Sequence, residues 1–314
     1  MSNNNDGITI IGVPLDLGAE NLGVDNGPEA IKQQGIESKL KDIGFQVKLL
    51  DDILVKSRDQ LNPGNPRLHY LDEIVSVSND LANKVDEQIR NDQRVVVLGG
   101  DHSVNLGAVS GAAAALDYNL GLIYLDAHGD INTEETTLTG NIHGMHLAAL
   151  MGHGPKALTD IHQPRIKIES NNLLHIGGSD FDEAEWQLAK TEGIEMFTLF
   201  DLLTSSLGPL VDEIKNMAAR LPYIWVSLDL DCIDQIYAPG AAMPNAKGLM
   251  YREIATITEY IGQHCNVVGV DVVEYNPLLD IKHKTAELGI ELIAKLLGKN
   301  YSWYTNYLSK NKIN

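Results

Sequence analysis

The stretch Leu120-Gly121-Leu122-Ile123-Tyr124-Leu125-Asp126-Ala127-His128-Gly129-Asp130-Ile131-Asn132 decides the fold class. Its first six residues form an unbroken apolar run of the kind found in a strand buried on both faces of a parallel sheet. Its next five place Asp126, His128 and Asp130 at alternate positions, just where that strand ends. Open α/β sheets gather their chemistry at this carboxyl edge. Two further apolar runs end the same way. Arg94–Leu98 runs into Gly99-Gly100-Asp101-His102, and Ile224-Trp225-Val226-Ser227-Leu228 runs into Asp229-Leu230-Asp231. A lone aspartate after a strand is usually a cap or turn residue, and a lone histidine is usually structural. Three such clusters in one chain are different, because converging carboxylates repel one another unless a cation lies among them.

Working outward, the alternation of strands and helices continues along the whole chain. Strands are expected at residues 8–13, 45–50, 94–98, 120–125, 173–176, 195–198, 224–228 and 267–272. Helical spacings fall at 28–41, 71–91, 183–191, 207–220, 251–264 and 284–297. This pattern implies a mostly parallel sheet covered by helices on both faces. An open sheet is preferred here over a closed eight-stranded barrel. No linker, repeat or low-complexity run divides the 314 residues, so a single domain over 1–314 is expected.

Composition narrows the class. Apolar residues make up 44% of the chain and charged ones 21%, which suits a large core and argues against general disorder. The net charge of −19 argues against nucleic acid and anionic membrane surfaces as partners. No apolar run reaches the roughly 18 residues of a membrane helix. Met1-Ser2-Asn3-Asn4-Asn5-Asp6 is polar and lacks the pattern of a signal peptide. Cys232 and Cys265 are read as buried thiols, so the expected location is cytoplasmic.

Pooled, the clusters supply His102, Asp126, His128, Asp130, Asp229 and Asp231. Four carboxylates and two imidazoles suffice for two divalent cations if carboxylates bridge. Oxygen-rich sets of this kind suit Mn²⁺ better than structural zinc. Two such ions ~3.5–4 Å apart bring water towards a neutral pKa, so no activated serine or cysteine is needed. There is no nucleophile elbow, P-loop or dinucleotide fingerprint; Gly99-Gly100 lacks the necessary glycine spacing.

These residues carry a resemblance. Gly-Gly-Asp-His-Ser at 99–103, Asp-Ala-His-Gly-Asp-Ile-Asn at 126–132, Gly-Asn-Ile-His-Gly at 140–144 and Ser-Leu-Asp-Leu-Asp at 227–231 resemble the arginase branch of the ureohydrolase family. Ile11–Pro14 with Gly23–Pro28, and Val270–Pro277, resemble its first strand and its last active-site strand. The resemblance implies a three-layer α/β/α fold with eight parallel strands and a cluster of two manganese ions. It also implies hydrolysis of L-arginine to L-ornithine and urea by a metal-bridging hydroxide, in a homo-oligomer that is a trimer or hexamer.

Carried over residue by residue, one manganese takes His102, Asp126, Asp130 and Asp229, and the other Asp126, His128, Asp229 and Asp231. Asp130 would also hold the proton of the bridging hydroxide. His143 matches the histidine that protonates the leaving amine, a fitting task for imidazole. Glu274 matches the carboxylate that accepts the guanidinium N–H groups. Asn132, Thr137, Thr139 and Asn141 match the binders of the α-carboxylate, and Asp182 the residue near the α-amino group. His146 and His153 match no required role. His69, His162, His175, His264 and His283 are read as structural or exposed, and Trp186 and Trp225 as core or interface aromatics.

The chain departs from the family pattern at three places. Ala242-Met243 stands before Pro244 where Gly-Thr is usual, Leu22 where arginine is common, and Gly178-Ser179 where leucine and arginine are commoner. The alternative function is therefore hydrolysis of another guanidino or formimino compound: formiminoglutamate, guanidinobutyrate or agmatine. A catalytically silent, metal-stabilised binding protein is a reading from another class. The full set of six ligands together with His143 argues against it.

Overall fold

Each buried apolar run expected from the sequence forms a strand. The computed structural model describes residues 6–299, so Met1–Asn5 and the last fifteen or so residues of the expected domain lie outside it. The main strands are β1 (Gly7–Val13), β2 (Gln46–Leu49), β5 (Arg94–Gly99), β6 (Leu120–Leu125), β7 (Leu173–Ile176), β8 (Glu195–Phe197), β9 (Tyr223–Asp229) and β10 (Val267–Val273). The remaining pair, β3 (Gly64–Asn65) and β4 (Leu68–His69), makes a small antiparallel hairpin. The eight main strands form one open sheet in the order β2-β1-β5-β10-β9-β6-β7-β8, parallel throughout. The barrel alternative is thereby excluded.

The order carries the functional consequence. Of the three strands that end in acids and histidine, β5 and β6 are consecutive in the chain and β9 comes much later. In the sheet they occupy one central block with β10, in the order β5-β10-β9-β6. Register keeps their ends level: Val272 pairs with Leu98, Val273 with Asp229, and Leu125 with Leu228.

The strands alternate faces with period two. Ile8, Ile10, Val96, Leu98, Ile123, Leu125, Val226 and Leu228 pack into one layer. That layer is completed by helices α1 (Gly27–Gln33), α2 (Ile36–Asp42), α8 (Leu199–Ser205), α9 (Gly208–Arg220), α10 (Tyr251–His264) and α11 (Lys284–Leu296). Ile11, Val13, Val95, Val97, Leu122, Tyr124 and Trp225 face the other layer. There α3 (Leu71–Arg90), α4 (Asn105–Ala115), α5 (His146–Leu150), α6 (Lys156–Thr159) and α7 (Glu183–Glu192) cover the sheet. The result is the expected three-layer α/β/α arrangement.

Two helical expectations change. The segment 28–41 is broken in two, because Gly35 takes φ 79° and starts α2 afresh. Helix α4 was not expected at all. It is buried on almost every side and so presents no amphipathic stripe for periodicity to detect. Among the described residues no helix is long and apolar enough to cross a membrane.

Candidate metal centre

His102 opens a short 3-10 turn that leads from β5 into α4. The backbone reaches this position through Gly100, where an added Cβ would lie 1.8 Å from the Leu15 carbonyl oxygen. Gly100 therefore serves close approach to the segment after β1, and Gly99 close approach to Val273 at the end of β10. His102 is fully buried, and its Nδ1 lies 2.9 Å from Asp126 Oδ2, 3.1 Å from Asp229 Oδ2 and 3.3 Å from Asp130 Oδ2. Its Nε2 is 2.8 Å from Ser227 Oγ, and Ser227 donates to Asp271 Oδ1 at 2.6 Å. Asp271 also accepts from Asn105 Nδ2 and from the Trp225 indole. Because Ser227 spends its one proton on Asp271, His102 donates from Nε2. Its Nδ1 lone pair is left facing the carboxylates, which is the tautomer a metal ligand needs.

The second half is built on β6 and β9. His128 Nδ1 lies 3.0 Å from Asp231 Oδ2 and 3.5 Å from Asp126 Oδ1. Local turns hold these carboxylates. Asp126 Oδ1 accepts the His128 N–H at 2.7 Å, and Asp229 Oδ1 accepts the Asp231 N–H at 2.8 Å. The six residues expected as ligands thus come together, in overlapping groups His102/Asp126/Asp229, Asp126/His128/Asp231 and His102/Asp130/His146; within each group the ligand atoms lie within 4.8 Å of one another. Asp126 and His102 each belong to two of these groups.

The donors fit cations. The buried Asp126 Oδ2 meets no hydrogen-bonding atom but His102 Nδ1 at 2.9 Å, and a positive ion would satisfy both. Burial, then the neighbouring Asp231 and Asp126, pushes the Asp229 carboxyl well above the usual range. Burial likewise raises Asp231 to about 6. Carboxylates that oppose one another in a dry site are relieved by a metal. Oxygen-rich donors with two imidazoles fit a divalent cation.

Glu274 follows β10. It accepts the His102 backbone N–H through Oε1 at 2.8 Å, and His143 Nδ1 lies 3.4 Å from the same oxygen. Against the desolvation that would lower it, the Glu274 contact lifts His143 to about 9. Asp130 and Glu274 both adopt left-handed backbone, at φ 52° and 60°. Glu274 is pinned there from both sides. Its N–H donates to the Gly100 carbonyl and its carbonyl accepts from Ala242 N–H, each at 2.8 Å.

The expected substrate residues separate into two groups. Asn132 Nδ2 donates to Asp182 Oδ2 at 2.7 Å, so those two meet. Asp182 also caps α7, accepting the Glu185 N–H at 2.9 Å. Thr137, Thr139 and Asn141 lie on the loop that returns to His143. The Thr137 hydroxyl accepts Gly140 N–H at 2.9 Å and the Thr139 hydroxyl accepts Asn141 N–H at 3.2 Å, so both shape the loop. Met243 lines a cleft of about 550 Å³ together with His128, Asn21, Ser179 and Asp180. Leu22 is exposed, and its carbonyl accepts from Asn276 Nδ2 at 3.0 Å.

Sequence reasoning missed the residues behind the ligands. Asp271 and Ser227 carried a usable signal, a polar residue inside an otherwise apolar strand. His146, assigned no role, is fully buried with its ring centroid 4.4 Å from that of His102. His175, read as structural or exposed, is buried and bonds the His128 carbonyl at 2.7 Å. Trp225 is core, as expected, and its indole N–H also serves Asp271.

Comparison with known proteins agrees with this geometry. An arginase of Brevibacillus brevis is 37% identical over 295 residues, which is 94% of this chain and 98% of that protein. The crystal structure of an arginase from Bacillus cereus superposes with a TM-score of 0.88 at 36% identity, covering 94% of this chain and 99% of that one. The Bacillus caldovelox arginase superposes with a TM-score of 0.89 at 35% identity, over 94% and 99% of the two chains. The model of the Arginase family matches residues 6–298. The sheet, the convergent ligands and these matches together place the chain in the Arginase family.

Proposed function

We propose that this protein hydrolyses the guanidinium group of L-arginine to give L-ornithine and urea, at a centre that holds two manganese ions. The convergence of six ligands with His143 and Glu274 at the ends of β5, β6, β9 and β10 carries this reading. The names of its relatives support it. His102, Asp126, Asp130 and Asp229 would hold one ion, and Asp126, His128, Asp229 and Asp231 the other. When bound, the pair supplies positive charge that brings the pKa of water towards neutrality.

The chain's own residues do the rest. Glu274 spends Oε1 on the His102 N–H, which leaves Oε2 to accept guanidinium N–H groups and orient the substrate. Water oxygen adds to the guanidinium carbon, with Asp130 as the carboxylate that holds the proton at that oxygen. The bond from carbon to the ornithine nitrogen then breaks, and that nitrogen needs a proton. His143, kept protonated beside Glu274, is the donor. At the far end Asp182 would face the α-ammonium, and Asn132, Thr137, Thr139 and Asn141 the α-carboxylate. The reading extends to one domain over residues 1–314, acting in the cytoplasm as a homo-oligomer, a trimer or hexamer.

One observation favours a second substrate. Met243 brings a thioether to the cleft beside His128, and a thioether is a weak acceptor for guanidinium N–H groups. Another guanidino or formimino compound would then replace arginine at the same centre. Urea and amine release measured over arginine, agmatine, guanidinobutyrate and formiminoglutamate, with elemental analysis of the manganese-loaded protein, decides between them. Two manganese ions per chain and preference for arginine are expected. Faster turnover of any of the other three overturns the arginine assignment, and fewer than two ions at saturation overturns the centre.

A further inference from the structure

Behind the His102 side of the centre lies a buried polar pair that the proposed reaction does not use. Tyr124 sits on β6 with no exposure, and its hydroxyl donates to Asp130 Oδ2 at 2.8 Å. The same hydroxyl lies 3.1 Å from His102 Nδ1 and 3.2 Å from His146 Nε2. The Tyr124 ring stacks on the His102 ring, with centroids 4.9 Å apart and planes within 9°. His146 opens α5 and is equally buried; its Nδ1 bonds the carbonyl of His143. A neutral imidazole that donates from Nδ1 presents a lone pair at Nε2. That lone pair is a second acceptor beside the one Tyr124 proton, which goes to the stronger Asp130 carboxylate, and the His146 ring packs against the hydroxyl from the other side.

We propose that Tyr124 and His146 are positioning residues that hold Asp130, and through it the His102-side manganese, in place. The surroundings give the reason such a bracket is needed. Asp130 stands on a loop, in left-handed backbone, beyond the end of β6. Unlike Asp126 and Asp229, its carboxylate has no backbone N–H partner among the hydrogen bonds of the site. Its Oδ2 is fixed by side chains alone. A phenol and an imidazole at the centre of an apolar layer cost desolvation that phenylalanine and leucine would not. Their placement makes sense if they orient a ligand, as groups one step behind a metal commonly do. The arrangement also links the two sides of the proposed chemistry. The same His146 ring touches the backbone of the proton donor His143 and the hydroxyl that holds Asp130.

This inference rests on the two-cation reading, and its test separates the two. Manganese affinity is measured by competition with a chelator on the full chain, for wild type, Tyr124→Phe and His146→Asn. The Asn Nδ2 occupies the place of imidazole Nδ1 and can still reach the His143 carbonyl. In Tyr124→Phe one of the two ions should bind about 10–100-fold more weakly while the other stays within about threefold of wild type. The metal-free protein should melt as wild type does. His146→Asn should weaken the same ion. A purely structural role would instead lower the melting temperature of the metal-free protein and leave both affinities alone, which overturns the proposal. Wild-type affinity in both variants, or in His146→Asn alone where Tyr124→Phe does not fold, overturns it as well. A wild type that binds fewer than two ions refutes the underlying reading instead.

Discussion

The two halves of the carboxylate cluster share one ligand chemistry and differ in how it is held. The His102 imidazole is 1% exposed, walled in by Ser227, Asp271, Tyr124 and His146. The His128 imidazole is 25% exposed and borders the cleft that contains Met243. On the closed side, side chains from four different elements fix the donor atoms. On the open side the turns Asp126–His128 and Asp229–Asp231 do so with their own backbone N–H groups. Local turns need no covering layer, so this half can face a substrate without losing its shape. The closed half needs its layer, and the sequence spends the buried Ser227, Asp271, Tyr124 and His146 on it.

Four experiments break or sharpen this comparison. Removing a residue shared by both halves should have the largest effect. Asp126→Ala or Asp229→Ala should strip both ions and reduce turnover to the metal-free background, whereas Asp231→Ala should remove only the open-side ion. Retention of two tightly held ions by Asp229→Ala, measured by elemental analysis, would show that the halves do not share it. Next comes His143→Ala. Loss of the proposed proton donor should lower kcat by ~10²–10⁴-fold, with manganese content at the wild-type level. Parallel loss of metal would place His143 in the coordination shell instead.

Third, Ser227→Ala breaks the relay that fixes the His102 tautomer. The closed-side ion should bind about 10–100-fold more weakly, and chelator competition should show no change at the open side. Equal weakening of both would erase the distinction between the halves. The smallest effect is expected at Met243, on the open wall. A hydrogen bond to a charged group contributes about 1.5–3 kcal/mol, so Met243→Thr should raise kcat/KM on arginine by about tenfold or somewhat more. Unchanged or lower efficiency would mean that a backbone carbonyl or water already serves those N–H groups.

Legibility followed the same division. The six inner strands could be read because buried parallel strands are near-continuous apolar runs, whereas the edge strands β2 and β8 are short and partly exposed and followed from the strand–helix alternation; the observed ends fall within a residue or two of the expected ones. The six candidate ligands were legible because each group stands directly after such a run. Neither the break at Gly35 nor helix α4 was visible. The first depends on a single backbone dihedral, and the second is apolar all round. Asp271, Ser227, Tyr124, His146 and His175 escaped for another reason. Their meaning depends on which strands are neighbours, and Asp271 reaches His102 only because β10 lies between β5 and β9. Spacing along the chain does not encode that order.

Asp130 and Glu274 hold their carboxylates on left-handed backbone. Such conformations cost on the order of 1–3 kcal/mol each outside glycine, with aspartate tolerating them better than glutamate. That cost is present in every folded molecule, loaded or empty. The consequence concerns how the protein would change over generations or in a laboratory screen. Selection for heat resistance alone would weigh two opposed effects of Glu274→Gly: glycine relaxes the turn, with the Gly100 and Ala242 backbone bonds kept, but the buried His102 N–H loses its acceptor, a loss of about 1–3 kcal/mol. The two nearly cancel, so a lineage released from the need to process a guanidinium would gain little stability by giving the glutamate up.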